Sequence, residues 1–226
     1  MLVRNWMTEN PITLSEGDCV LDAAEVMRKQ NVRQFPVIND DGDLVGIVSD
    51  RDIRDAMPSK YLPGDLTTGG GDGLSKLRAV DIMTIDPIRV TPTTPMDAVS
   101  DLLAANKIGG LPVVDEDGKL VGIVTESDLC RFLCSATGFK RGGPQFAFRL
   151  KAQPGPLADL LDDLRSEGVR FNSVLTSYDL EAAGFRHAYI RTESLGGHTV
   201  ESLAGYLSGK HELLFYIADG KTVAVN

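Results

Sequence analysis

The sequence predicts an α+β protein made of two copies of one small unit followed by a different α+β domain. Three observations carry this. The chain matches itself without a gap at an offset of 76 residues: "MTENPITL" at 7–14 meets "MTIDPIRV" at 83–90, and "QFPVINDDGDLVGIVSDRDI" at 34–53 meets "GLPVVDEDGKLVGIVTESDL" at 110–129. Each copy changes from helical to strand periodicity at the same place, as expected of a paired module. Beyond residue 145 a new pattern begins, with four strand-like runs and two amphipathic helices. A chain of 226 residues can hold more than one packed core.

In the first copy Val20, Ala23, Ala24 and Met27 follow i, i+3, i+4, i+7 spacing, and Met96, Val99 and Leu103 repeat it. A short apolar strand follows, "FPVI" or "LPVV", then Asp41-Gly42 or Asp117-Gly118, a strong hairpin signal. "LVGIV" is the return strand in both, and Ser49 or Thr125 stands where a second helix starts. The unit reads helix, strand, hairpin, strand, helix. "NDDGD" is no calcium loop: the glycine position would fall on Leu44 and the final glutamate on Asp50. Residues 58–79 read as a flexible linker, since "GGGDGLSK" does not meet the phosphate-loop pattern.

"ATGFKRGGPQ" at 136–145 marks a second break. "FAFRLKA" (146–152) alternates as a strand, and Leu157, Leu160, Leu161 and Leu164 form one helical face closed by Gly168. Strands at 169–178 and 185–192, a helix at 199–209 and a strand at 211–218 complete the order βαββαβ, the ferredoxin-like split.

Composition narrows the function. Hydrophobic residues are 42% and charged residues 24%, an ordinary globular balance. No apolar run reaches a membrane span, and the N-terminus lacks a signal-peptide core, so a cytosolic protein is expected. Net charge is −9, and residues 1–140 carry 14 basic against 22 acidic side chains, which argues against nucleic acid as the main partner. Cys19, Cys130 and Cys134 form no CxxC pair and read as buried free thiols. His187, His198 and His211 lack metal-ligand spacing, so no metal is expected.

The doubled phrase "GIVSDRD" and "GIVTESD" has two readings. Ser49-x-x-Asp52 and Thr125-x-x-Asp128 fit a capping box, worth about 1 kcal/mol. The same geometry suits a ligand: a helix start attracts phosphate, and a carboxylate there can accept from two ribose hydroxyls. Arg51 or Arg54 would supply a counter-charge. Both readings stay open on the residues alone.

Residues 1–135 resemble a tandem pair of CBS (cystathionine-β-synthase-type) domains, a Bateman module. The resemblance rests on "MTxxPxxV", the apolar-Pro-Val strand, the Asp-Gly hairpin and "GhhT/S-x-x-D", each present twice. It implies two βαββα-type repeats, 1–60 and 80–137, packed about a pseudo-two-fold with 61–79 between them. It also implies adenosine-type ligands: AMP, ADP, ATP or S-adenosylmethionine. By resemblance Asp52 and Asp128 are the ribose acids. Ser49, Arg51, Arg54 and Thr125 fall on the phosphate side. Ile12, Thr13, Gln34, Phe35 and Pro36, with Ile88, Arg89, Gly110, Leu111 and Pro112, fall beside the base. Ser127 replaces Arg51 in the second copy, so the two sites are not equivalent.

After a linker at 138–145, residues 146–226 resemble an ACT domain, with Pro154-Gly155 between the first strand and helix. This implies edge-to-edge homodimers and an amino acid bound near Gln153, Pro154, Gly155 and Leu157; the residues themselves fit a plain turn in a dimerising domain as well. The whole resembles the acetoin-utilisation-type CBS–ACT proteins of bacteria. No catalytic set is found, and no cofactor is required. A non-catalytic cytoplasmic sensor of adenine nucleotide is the expectation, with no membrane or nucleic-acid partner. A scaffold for a metabolic enzyme, or an enzyme of an uncatalogued kind, remain as alternatives.

Overall fold

The computed structural model describes residues 1–57, 76–178 and 184–225. Most of the predicted linker at 61–79 lies outside the described residues. Two compact units result, Met1–Cys130 and Arg131–Asn226, and the division falls within one helix.

The first unit contains both repeats. Copy one runs β1 (Thr8–Glu9), β2 (Leu14–Ser15), α1 (Val20–Gln30), β3 (Gln34–Ile38), β4 (Leu44–Ser49) and α2 (Asp50–Ala56). Copy two begins with α3 (Ala79–Ile82) and β5 (Thr84–Ile85), then α4 (Met96–Asn106), β6 (Gly110–Val114), β7 (Leu120–Thr125) and α5 (Glu126–Ala136). The predicted helix faces are the buried ones: Val20, Ala23 and Met27 on α1, and Met96, Val99 and Leu103 on α4. Gly42 turns the first hairpin at φ +80°, where a side chain would be strained.

The repeats do not fold as closed units. β1 of copy one pairs with β7 of copy two, and β5 of copy two pairs with β4 of copy one. The two sheets are therefore β2-β3-β4-β5 and β1-β7-β6, each completed by a strand from the other copy. Side chains follow the exchange. Met83 lies over Gly46, and Met7 lies over Gly122, in space that a Cβ would need. Backbone bonds repeat the symmetry, with Val3 N–H donating to the Thr94 carbonyl and Ala79 N–H to the Asp18 carbonyl, both at 2.9 Å.

Near the pseudo-two-fold axis, counterpart residues meet each other. Asp43 and Lys119 occupy the same place in the two hairpins and form a β-bridge. Lys119 Nζ donates to Asp43 Oδ1 at 2.6 Å and to the Asp41 carbonyl at 2.9 Å. That bond lowers the Asp43 pKa and raises that of Lys119. Gln34 and Gly110 are also counterparts, and the Gln34 amide occupies the space above Gly110.

The second unit runs β8 (Gln145–Lys151), α6 (Pro156–Ser166), β9 (Val169–Ser177), β10 (Phe185–Leu195), α7 (Val200–Ser208) and β11 (Glu212–Ala218), with an unpredicted β12 (Lys221–Ala224). Its antiparallel sheet has the order β12-β11-β8-β10-β9. Without β12 this is the arrangement a split βαββαβ chain adopts. Phe146, Phe148, Leu160, Leu164, Ile190, Leu203 and Leu207 are fully buried between sheet and helices. Asp163 on α6 accepts from Lys210 at 2.7 Å and pairs with His211 at 2.8 Å, which ties α6 to the turn between α7 and β11. The bond from Lys210, then that from His211, lowers the Asp163 pKa.

Residues 137–145 are strapped to this sheet. The Arg191 guanidinium donates to the Thr137 carbonyl at 3.0 Å, the Gly143 carbonyl at 2.9 Å and Gln145 Oε1 at 2.7 Å. Thr192 N–H and Oγ1 both donate to the Pro144 carbonyl. A segment that reads as a linker is thus held by specific bonds.

The cysteines correct an expectation. All three are free, but Cys130 is exposed and Cys19 and Cys134 are half-buried. The buried residue of α5 is Asp128. Cys130 stands two residues on, about 200° around the helix, so it points away from that side.

Candidate functional site

The sequence-predicted residues of copy one gather at one end of the first sheet. Gln34 and Ser49 are paired across β3 and β4, as are Phe35 with Val48 and Pro36 with Ile47. Leu14 pairs with Val37 in parallel, so Ile12 and Thr13 precede it on the side of Phe35 and Pro36. Asp50 N–H donates to the Arg33 carbonyl at 2.8 Å and fixes the start of α2 against the strand end. Ile12 is exposed although it is large and apolar, whereas Phe35 is fully buried in the core beneath. Only the backbone of Phe35 can meet a ligand.

The capping box is present. Asp52 Oδ2 accepts from Ser49 N–H at 2.7 Å and from Ser49 Oγ at 2.6 Å, and Asp52 N–H reaches Ser49 Oγ at 3.4 Å. One carboxylate oxygen does all of this work. The other, Oδ1, takes no hydrogen bond among the described residues. It is the oxygen an incoming hydroxyl would find, on a side chain already fixed in one orientation.

Copy two builds the same end on β6 and β7. Gly110 pairs with Thr125, Leu111 with Val124 and Pro112 with Ile123, and Val90 bridges Val113 just after Ile88 and Arg89. Asp128 Oδ2 accepts from Thr125 N–H at 2.8 Å and Oγ1 at 2.9 Å. Asp128 is 4% exposed, whereas Asp52 is only half-buried. Leu111 is fully buried, as Phe35 is, and Ile88 is exposed, as Ile12 is.

The cations differ between the copies. Arg54 turns back onto its own helix, with Nε on the Asp50 carbonyl at 3.1 Å and Nη2 at 3.2 Å from the Asp50 carboxylate. Arg51 is exposed and forms no ion pair among the described residues. Arg89 lies 3.2 Å from Asp86. Of the two arginines expected on the phosphate side, Arg51 is the one with an uncommitted guanidinium. Among the described residues no group of three His, Cys, Asp or Glu side chains is placed to hold a metal. No described helix is long and apolar enough to cross a membrane.

In the second unit Gln153, Pro154 and Gly155 are exposed between β8 and α6. Gly155 caps α6 through backbone alone at φ +111°, and Pro156 follows in the first turn. Leu157 packs on the core. The pairing that sequence reading missed is Gln34 with Gly110. The signal was available: counterpart positions near an axis touch, and here one carries a long side chain and the other none.

Comparison with known proteins agrees with the repeat. The CBS domain family model matches residues 3–59 and 79–135. A CBS domain-containing protein of Dictyostelium discoideum is 35% identical over 137 residues, which is 59% of this chain and 91% of that protein. The crystal structure of the CBS domain pair of protein MJ0100, in complex with 5'-methylthioadenosine and S-adenosyl-L-methionine, is 30% identical with a TM-score of 0.50. It covers 62% of this chain and 98% of that one. A candidate acetoin utilization protein (AcuB) from Vibrio cholerae is 26% identical with a TM-score of 0.51, over 62% of this chain and 95% of that one. Other curated relatives are longer, and the chain spans between 23% and 46% of their length. With two matched repeats, exchanged strands and a capped carboxylate in each copy, the chain belongs to the CBS-domain family.

Proposed function

We propose that the first unit is a non-catalytic sensor of an adenosine-type ligand, with Asp52 and Asp128 as the ribose acids. The observation that carries this is the doubled carboxylate. Each copy holds one oxygen of the acid on a Ser or Thr cap at a strand-to-helix corner. In copy one the second oxygen is left for a ligand. The exposed Ile12 and Ile88 supply apolar surface for a base at the matching strand ends. Arg51 serves the phosphate or other charged tail in copy one. The bound molecules in the MJ0100 pair are both adenosine derivatives, which supports the same class here.

We assign the second unit to an ACT-like domain that dimerises and takes an amino acid at the 153–157 loop. Its βαββαβ order and the bare backbone cap at Gly155 support this. The likeness to the Vibrio protein supports a role beside acetoin metabolism.

The test is thermal unfolding of the full chain with AMP, ADP, ATP, 5'-methylthioadenosine and S-adenosylmethionine. Ligand at 100 times its Kd adds about 2.7 kcal/mol of stability. A shift that disappears in Asp52→Asn/Asp128→Asn carries the reading. No shift with any of the five overturns it.

A further inference from the structure

We infer that Gln34 closes the second site from the first repeat, so that the pair binds one adenosine-type ligand until this side chain is withdrawn. The inference rests on the adenosine-type reading above and names its regulation. It starts from a break in the symmetry. At the two methionine contacts the exchange is mutual: Met7 covers Gly122, and Met83 covers Gly46. At 34 and 110 it runs one way. The Gln34 amide fills the space where a Gly110 Cβ would stand, and Gly110 returns nothing.

The position matters because of what stands beside it. Gly110 pairs with Thr125, the cap residue that holds Asp128, and Glu126 N–H donates to the Gly109 carbonyl at 3.1 Å. The Val124 carbonyl lies 3.0 Å from the place of that Cβ. A base seated at the start of β6 would therefore meet the Gln34 amide. The backbone of Gln34 pairs with Ser49, the cap residue of the first site. One residue thus has its main chain at one site and its amide at the other. Gly110 has no side chain with which to reach back to the first site. The closure is a first-repeat property imposed on the second repeat, and Ser127 in place of Arg51 weakens the second site in the same sense.

Isothermal titration calorimetry of the full chain with S-adenosylmethionine, and separately with AMP, tests this. Wild type is expected to bind one equivalent, with any second event at least about tenfold weaker, or 1.4 kcal/mol. Gln34→Gly makes positions 34 and 110 alike and is expected to raise the stoichiometry to two. Gln34→Glu, of the same length, is expected to keep it at one. Adding Asp128→Asn to Gln34→Gly should remove the gained event and assign it to copy two. If Gln34→Gly binds with wild-type stoichiometry, or wild type already fills two equal sites, the Gln34 inference falls and the adenosine reading stands. If neither protein binds either ligand, the reading beneath it falls as well. Should Gln34→Gly fail to fold by circular dichroism, Gln34→Ala is read in its place with the same outcomes.

Discussion

Strand exchange between the repeats can be tested at one atom. In Gly46→Ala the new Cβ would meet the Met83 thioether, with Met83 Cγ at 2.9 Å and Cβ at 3.2 Å. The sulfur and Cγ lie nearer than side chains pack, and they can leave only by a change of the Met83 rotamer. Overpacking of this kind costs about 1–3 kcal/mol. For a unit of this size that is on the order of 3–10 °C in Tm. Shortening the methionine to alanine removes the sulfur and Cγ and leaves only its Cβ. In a Met83→Ala background only the Cβ contact at 3.2 Å remains, so Gly46→Ala should cost at most about 0.5 kcal/mol, since alanine also loses less backbone freedom than glycine on folding. The double-mutant cycle should therefore show coupling of more than about 1 kcal/mol. Trp6 is the single tryptophan and lies in the first unit beside Met7, so its fluorescence follows the unfolding of the right body. Equal costs of Gly46→Ala in both backgrounds would mean that Met83 does not lie there, and the exchanged sheet would be refuted.

Asp52→Asn keeps the size of the side chain and an oxygen for Ser49 N–H, so stability should change little. Affinity for an adenosine-type ligand should fall about 10–100-fold, or 1.4–2.8 kcal/mol, by calorimetry; unchanged affinity would leave Asp52 as a cap alone. Asp163 has a lowered pKa, held down by Lys210 and His211. Its contribution to stability is full above the ordinary value of 3.8 and is lost as pH falls through the lower folded value. The acid side of a Tm-against-pH curve should therefore flatten in Asp163→Asn. Arg191→Met removes three bonds from the 137–145 strap and should cost the second unit about 1–3 kcal/mol. It should also speed tryptic cleavage at the exposed Lys140 and Arg141, and an unchanged cleavage rate would show that the strap holds without it.

Much of the local structure was legible in the sequence because it depends on near neighbours. Helix faces, Asp-Gly hairpins and both capping residues are matters of spacing within about eight residues, and they lie where the pattern puts them. The four strands and two helices of the second unit were legible for the same reason, while β12, four exposed residues without an apolar face, was not. What lay hidden is long-range. "MTENP" and "MTIDP" read as the start of their own repeats, yet each strand completes the sheet of the other, because two residues of strand carry no mark of their partner. The motifs also told which residues would lie together at the strand-to-helix end of each sheet. The asymmetry of the two sites was legible only in Arg51 against Ser127, since the crossing of Gln34 depends on where the axis falls. The strap at 137–145 was not legible because its glycines suggest freedom, and its restraint comes from Arg191 and Thr192 far along the chain.

The exchanged strands also bear on how the chain is made. Thr8–Glu9 leaves the ribosome more than 100 residues before its partner strand Leu120–Thr125, the return strand of the second hairpin. The sheet β2-β3-β4 must likewise wait with an open edge on β4 for Thr84–Ile85. Pairings so distant in sequence close slowly, and an unpaired edge invites a foreign strand. A nascent chain halted between the repeats would expose that edge. A neighbouring chain on the same message that fills it gives a dimer in which Thr84–Ile85 of one molecule completes the β4 edge of the other.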